Sequence, residues 1–414
     1  MGAKILSMLV AVVSVPLMLT LLGTKQYGIW ATLTSLVVFL SLLDLGVGNS
    51  IRNSVASMND SNYEKVRSEF IGFFRLLCYV GIAVTICFFY AIPILNISPE
   101  QTLPAQLLYV PILLLLPLML GASVLQGARC TGLQAVLQAS GSWVFFSIVC
   151  LFVWVNYAPS IDQLSIVWST CYVVALLLVF ILALKKLQIP LKQLFGLSIS
   201  ALHGSRLRMG LEFLVLQLSA LMLYSLGHIL IFNHLGAIEV ARYDVIQKIY
   251  QVGLGLYTVV IGVMWPEIAR ARAEGNDKSL RRIFRNLALL ASVFSVAAVL
   301  GAFVAPTIIK LWTQERIQVE TFEALAVAAV VAAQSLAFVG AVFMNAFEKV
   351  RLQIFLGVGS IVLMVPLTNH FLNSGIGITA VPLAAFVLTA LPMITCNIYA
   401  LHLIRDFKKA AALA

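Results

Sequence analysis

The sequence is poor in charge. Lys, Arg, Asp and Glu make up 11% of its 414 residues against 61% apolar residues, and the mean hydropathy is +1.00. A soluble domain is typically about half apolar and roughly a quarter charged, so one aqueous core is excluded. No GxxxxGK[ST] string occurs, which excludes a P-loop nucleotide site. There is no CxxC and no histidine pairing with cysteine. The six cysteines, Cys78, Cys87, Cys130, Cys150, Cys171 and Cys396, are scattered and read as small apolar helix residues, so no metal, cofactor or disulfide frame is expected. The formal charge of +10 comes without aromatic interleaving, so nucleic acid is not an expected partner. No small-residue cleavage site follows the first apolar run, Ile5–Leu22, and a second run, Tyr27–Leu43, follows at once. That pairing reads as membrane spans and argues against a cleaved signal peptide.

What the chain does contain is a series of long apolar runs. A helix rises about 1.5 Å per residue, so roughly 20 residues cross a bilayer core about 30 Å thick. Twelve segments are predicted: 4–22, 27–50, 70–94, 105–126, 139–157 and 164–184, then 210–233, 239–263, 286–309, 319–343, 353–372 and 377–402. Continuous runs such as Val110–Leu120 exclude the alternating strands of a membrane barrel. With the N-terminus placed in the cytoplasm, 22 of the 27 Lys and Arg residues fall at cytoplasmic ends, and 5 (Lys25, Arg242, Lys248, Lys310, Arg316) on the other side. This bias sets the orientation. The expected fold class is therefore an all-α integral membrane protein with twelve transmembrane helices and both termini cytoplasmic. The longest cytoplasmic segment, Lys185–Met209, divides an N-terminal lobe (1–198) from a C-terminal lobe (199–414), six helices each. A shift of about 213 residues sets Leu22-Gly23 over Leu235-Gly236 and Pro93 over Pro306, and one residue more aligns Arg67 with Arg281 and Phe70 with Phe284. The offset joins helices of like direction, which predicts a parallel repeat about an axis along the membrane normal, with a central cavity.

Polar groups inside spans are costly and usually face a bundle interior or water. The densest set is Asp244, Gln247, Lys248 and Gln251, whose spacing of 0, 3, 4 and 7 puts all four on one helical face. Two readings are open: the wall of a wet translocation path, or a self-neutralising Asp244–Lys248 pair that merely holds the helix. Asp44 and Arg52, eight residues apart beside Gly46 and Gly48, read as an entry site for an anionic head group or as a structural ion pair. Glu212 and His228 are candidate ion-coupling groups, with an interfacial carboxylate and a satisfied core histidine as the plainer alternatives. Arg75 and Arg129 lie at cytoplasmic helix ends, where they anchor the interface or contact phosphate. Prolines 16, 93, 111, 117, 306, 366, 382 and 392 lie in or at the ends of spans and mark possible bends.

One string carries a family likeness: Val15-Pro16-Leu17, Leu22-Gly23, Tyr27-Gly28-Ile29-Trp30, Leu42-Leu43-Asp44-Leu45-Gly46-Val47-Gly48 and Arg52-Asn53. Trp265-Pro266-Glu267 and Leu311-Trp312-Thr313 are the matching landmarks of the second half. In these residues the chain resembles Wzx-type polysaccharide flippases of the multidrug/oligosaccharidyl-lipid/polysaccharide exporter (MOP) superfamily, over essentially its whole length. The resemblance implies a MATE-like fold of two six-helix lobes. It also implies translocation of undecaprenyl-diphosphate-linked oligosaccharide repeat units across the bacterial inner membrane, by alternating access coupled to an ion gradient, for O-antigen or another surface polysaccharide. The implied partners are the lipid-linked oligosaccharide, the bilayer, and a polysaccharide polymerase with its chain-length regulator. Asp44 and Arg52 are the two candidates that fall in the matching motif. A drug or cation antiporter of the same superfamily is the alternative; it favours carboxylates in its cavity, whereas Lys248 suits an anionic substrate. A membrane polymerase or ligase needs a sizeable external loop, and the longest external segment here, Leu95–Pro104, has ten residues. An enzyme is therefore not expected.

Overall fold

The computed structural model describes residues 2–40, 43, 46–56, 58, 60–94, 99–195, 217–347, 349 and 351–413, with no strand among them. Ten helices among these residues are long and apolar enough to cross a membrane, eleven when the bent pair Gln101–Leu114 and Leu116–Gly127 is taken as one span. The chain is thus a multi-pass helical membrane protein. It divides into two compact units, Met1–Leu218 and Ser219–Ala414. The expected lobe boundary, at 198/199, lies outside the described residues.

In the first unit, α1 spans Gly2–Leu40, α2 Val47–Ala56, α3 Tyr63–Ile94, α4 Pro99–Leu114, α5 Leu120–Gly127, α6 Thr131–Trp154 and α7 Ile161–Lys186. The first two predicted segments appear as the single α1, interrupted at Gly23, where φ is 70° and ψ 171°. The predicted helix 27–50 needs correction: it is not continuous, since α2 begins at Val47 behind Gly46, whose φ is +73°; residues 41, 42, 44 and 45 lie outside the described residues.

The bend between α4 and α5 has a local cause. Pro117 has no N–H to give to the carbonyl four residues back, that of Leu113, and its ring crowds that carbonyl. The chain there narrows to the 3-10 turn Leu116–Met119, and the helices on either side meet at 63°. The displaced carbonyl is accommodated by Gly81 of α3, where a Cβ would lie 2.3 Å from Leu113 O. Pro16 lies inside α1, seven residues before its break at Gly23, and Pro111 lies in the last turn of α4, where its carbonyl accepts from Leu115 N–H at 3.2 Å. The core of the unit gathers Ile51, Phe70, Phe73, Leu77, Leu116, Val124 and Phe180. Phe180 stacks on both Phe70 and Phe74, at 6.0 and 5.5 Å.

Residues 217–224 form α8, which leads into the second unit, followed by α9 (Gly227–Leu235), α10 (Ala237–Ala273), α11 (Asp277–Trp312), α12 (Thr321–Ala346), α13 (Arg351–Asn373) and α14 (Ala380–Leu413). The last helix runs eleven residues beyond the predicted end at 402. Asn276 caps α11 by accepting from Ser279 N–H at 3.0 Å. On α11, Leu289, Val293, Val296, Leu300, Phe303 and Leu311 form an exposed stripe at helical spacing, the face such a helix turns to lipid. Its opposite face joins a core of Tyr257, Leu287, Ala291, Phe343 and Ala400. Serine and tyrosine hydroxyls bind across that core: Tyr257 donates to Ser335 O at 2.8 Å, and Ser295 lies 3.0 Å from the Ser335 hydroxyl. Such polar cross-links hold helices together where lipid removes the hydrophobic drive.

Gly236 separates α9 from α10 at φ 90° and ψ 177°, close to the values at Gly23. This region of backbone space is open essentially to glycine alone. The two glycines that the sequence shift superposes, 213 residues apart, therefore make the same kind of break between consecutive helices in each unit.

Candidate functional site

The polar stripe of α10 supplies the site. Asp244 is 6% exposed, and such burial disfavours a carboxylate unless it is neutralised. Lys248, one turn on, donates to its Oδ2 at 2.6 Å. From α9, His228 Nε2 lies 3.1 Å from Asp244 Oδ1. A carboxylate only accepts, so this nitrogen carries the proton and donates. The imidazole is buried and rests edge-on against Tyr243, with ring centres 5.2 Å apart. Its Nδ1 is buried with no hydrogen-bond partner among the described residues.

Gln247 belongs to a separate, neutral network. Its Nε2 donates to Tyr224 O at 2.9 Å and to the Tyr243 hydroxyl at 3.4 Å. Tyr224 O is the last carbonyl of α8, at the turn where the helix is interrupted, so a side chain takes the place of the continuing backbone. The Tyr224 hydroxyl lies 3.3 Å from that of Thr389 on α14.

Beside this network is a cavity of about 330 Å³, contained within the second unit. Tyr224, Tyr243, Gln247, Gln251, Thr258 and Gln334 supply its polar lining, and residues such as Leu223, Leu254, Val327, Val330 and Val331 its apolar walls. No charged side chain lines it among the described residues. The four-residue stripe is thereby split between two environments: Gln247 and Gln251 face the cavity, while Asp244 and Lys248 pair with each other and with His228. Tyr243 and Thr258 extend the stripe along α10 and were legible by continuing the same spacing. Gln334 was a lone amide among alanines and valines, and only the fold brings it here.

In the first turns of α10, just before Asp244, Arg242 donates to Glu239 at 2.8 Å, to Glu323 of α12 at 2.6 Å and to Gln318 O at 3.1 Å. These bonds tie α10 to the start of α12.

In the first unit the described candidates lie on different elements. Arg52 is exposed on α2. Arg129 is exposed immediately after α5, at φ 61°. It closes that helix as Arg129 N–H donates to Gln126 O and Cys130 N–H to Leu125 O, the bonding pattern of a left-handed helix end. Arg75 of α3 is committed to backbone: Nε donates to Leu194 O at 3.1 Å and a terminal nitrogen to Gln193 O at 2.9 Å. Arg67 adds a bond to Gln188 O at 3.1 Å, and Tyr63 one to Leu187 O at 2.9 Å. Together these pin the segment after α7 to α3. We expect Arg75→Ala to raise tryptic cleavage at Lys186 and Lys192 severalfold in membrane vesicles, with little change in global melting. An unchanged digestion rate refutes the anchoring role. Asp44 and Glu212 lie outside the described residues.

Over residues 1–272 the sequence matches the family described as "Polysaccharide biosynthesis protein". The chain belongs to that family. A curated relative, the "Putative O-antigen transporter" of Salmonella typhi, is 22% identical over 297 residues, covering 68% of this chain and 66% of the relative's own length. Among solved structures, the inward-facing form of a multidrug resistance MATE family transporter of the MOP superfamily superposes with a TM-score of 0.77 at 15% identity, covering 97% of this chain and 96% of that one. The lipid II flippase MurJ, in its inward closed conformation, follows with a TM-score of 0.72 at 13% identity, covering 99% and 89%. At such identities these two likenesses speak for the fold, which is MATE-like. The polysaccharide branch of the superfamily, expected from Val15 to Asn53, is thus borne out by the family match, and the named relatives are transporters and a flippase, with no enzyme among them.

Proposed function

We propose that this protein is a flippase for lipid-linked oligosaccharide repeat units, moving a polyprenyl-diphosphate-linked glycan between the leaflets of the bacterial inner membrane. Membership of the polysaccharide biosynthesis family over residues 1–272 is the observation that carries this reading. The name of the Salmonella typhi relative and the likeness to a lipid II flippase agree with it. The physical demand is the transfer of a sugar and a diphosphate through hydrocarbon while the polyprenyl tail stays in lipid. A bare charge there costs several kcal/mol or more, so polar groups must be supplied inside spans. The polar set of α8 and α10 around the cavity meets the sugar's part of that demand.

In this reading the chain crosses the membrane twelve times with both termini in the cytoplasm. The count is supported by the ten apolar helices, the bent pair and the division of α1 at Gly23. The orientation rests on the distribution of Lys and Arg. Arg52 contacts the diphosphate, since it is an exposed guanidinium in the motif shared with flippases, and a planar guanidinium can grip two phosphate oxygens. His228 is the coupling group for the ion gradient, because its buried Nδ1 offers an open site for a proton.

Deleting the gene tests the function. The expected result is loss of surface polysaccharide, with repeat units accumulating on the cytoplasmic face of membrane vesicles. Complementation with Arg52→Glu should restore protein level but less than about a tenth of the export, a loss of 1.4 kcal/mol or more in transition-state contact. Intact polysaccharide in the deletion strain, with heightened sensitivity to cationic drugs, transfers the assignment to an antiporter.

A further inference from the structure

Every polar side chain that lines the cavity of the second unit is neutral, and the charges nearest to it in the chain are occupied with each other. We propose, on the basis of the flippase reading above, that this cavity is a saccharide subsite: it receives an uncharged, hydroxyl-rich part of the transported glycan and excludes the diphosphate.

The lining chemistry selects the ligand. Gln247, Gln251 and Gln334 present carboxamides, each with donors and an acceptor, and Tyr224, Tyr243 and Thr258 present hydroxyls. A sugar hydroxyl is likewise both donor and acceptor, so it satisfies either end of an amide. Among the described residues a diphosphate in the same space meets no cation: Lys248 is not among the lining residues and is held by Asp244 at 2.6 Å. Among the same residues an organic cation meets no carboxylate, because Asp244 is held by Lys248 and His228. A charge there would be buried without compensation.

The amides also differ in how they are held. Gln247 is fixed through Nε2 to Tyr224 O and the Tyr243 hydroxyl, which leaves its Oε1 available as an acceptor. Gln334 is only 9% exposed, and its carboxamide has no hydrogen-bond partner among the described residues; Gln251, an exposed residue, opens on the same cavity. Polar groups on nearly buried residues are usually partnered, so the Gln334 amide facing a cavity marks a place for a hydrogen-bonding ligand. Val327, Val330 and Val331 come from the same face of α12 as Gln334 and give the cavity an apolar side, suited to the C–H faces of a pyranose ring. The volume of about 330 Å³ sits at the lower end of the range of about 300–1,000 Å³ for small-ligand sites. It fits a fraction of a repeat unit, with the remainder outside.

The test uses the full-length protein in lipid nanodiscs and three probes. These are the lipid-linked repeat unit extracted from host membranes, the free oligosaccharide released from it by mild acid, and undecaprenyl diphosphate without sugar. The expected result is that wild type binds the free oligosaccharide and that the double variant Gln251→Leu/Gln334→Leu binds it about tenfold or more weakly, two hydrogen bonds of about 1 kcal/mol each being lost. Binding of undecaprenyl diphosphate stays within about twofold, and Gln334→Asn recovers part of the oligosaccharide affinity. Thermal melting of the leucine variant at or above wild type shows that the fold is intact. If the double variant binds oligosaccharide as wild type does, the cavity holds only water and the subsite is refuted. A drop confined to undecaprenyl diphosphate overturns it equally. If wild type binds none of the three probes and the deletion strain keeps its polysaccharide, the flippase reading itself fails, and the subsite falls with it.

Discussion

Replacing Asp244 by alanine is expected to remove nearly all folded protein from the membrane, and export with it. The carboxylate lies 2.6 Å from the Lys248 ammonium and 3.1 Å from His228, and it is 6% exposed. Removing one member of a buried ion pair leaves the other charge desolvated without its counter-ion, which costs about 3–5 kcal/mol. The whole stability of a domain is of order 5–15 kcal/mol, so this single change takes a large part of it. The neutral double variant Asp244→Asn/Lys248→Met removes both charges at similar volume and should recover most of the folded protein, since a buried pair contributes little net stability over well-packed neutral residues. The two variants separate structure from function. Quantitative blotting of membranes gives the folded amount, and polysaccharide export per molecule gives the activity. If the double variant folds but does not export, the pair has a transport role beyond holding α9 to α10. A third variant, His228→Gln, keeps a donor toward Asp244 while removing the titratable ring. It should leave protein level near wild type and abolish the dependence of export on the transmembrane pH difference. An Asp244→Ala protein that accumulates and melts as wild type does would falsify the account of the triad.

The sequence made the apolar runs legible, because a bilayer imposes a minimum length on every span and the loops between them are short. It made the stripe Asp244, Gln247, Lys248 and Gln251 legible, because helical periodicity fixes which residues share a face. It left open what those residues meet. By spacing, His228 shares a helical face with Gln217 and Tyr224 of its own segment, yet its partner is Asp244 on the next helix. Periodicity says nothing about contacts between helices. The bend is a second example. Eight prolines stood in or beside predicted spans, and composition gave no reason to prefer Pro117. The fold supplies that reason in Gly81, which makes room for the freed Leu113 carbonyl. Arg75 is a third. A basic residue at an inner helix end reads equally as interfacial anchor or phosphate ligand, and the choice depends on where residues 187–195 run. Its guanidinium ends on the carbonyls of Gln193 and Leu194.

The second large effect is steric. Gly340→Ala is expected to lower the stability of the second unit by about 1–3 kcal/mol, the usual range for overpacking, and Gly340→Leu to prevent its folding. A Cβ at Gly340 would lie 2.4 Å from Cys396 C, 2.5 Å from Asn397 N and 2.6 Å from Cys396 O. All three are backbone atoms, so no rotamer change relieves the clash, and α12 and α14 must move apart. Moving them strains Asn397, whose Nδ2 donates to Leu336 O at 2.9 Å across the same contact. In lipid, hydrophobic burial does little to bring helices together, so close backbone approach and such hydrogen bonds carry the packing. A one-residue widening therefore removes dispersion contact along the pair with nothing to replace it. Gly127, 213 residues earlier, is pressed in the same way, with a Cβ position 2.5 Å from Arg52 O. Gly262 is the control: nothing lies within 4 Å of its Cβ position, and alanine there should be neutral or stabilising by up to about 1 kcal/mol through helix propensity. Thermal melting in detergent, followed by circular dichroism, reads all three variants. Equal melting of Gly340→Ala and Gly262→Ala would mean that α12 and α14 do not approach this closely in the bilayer.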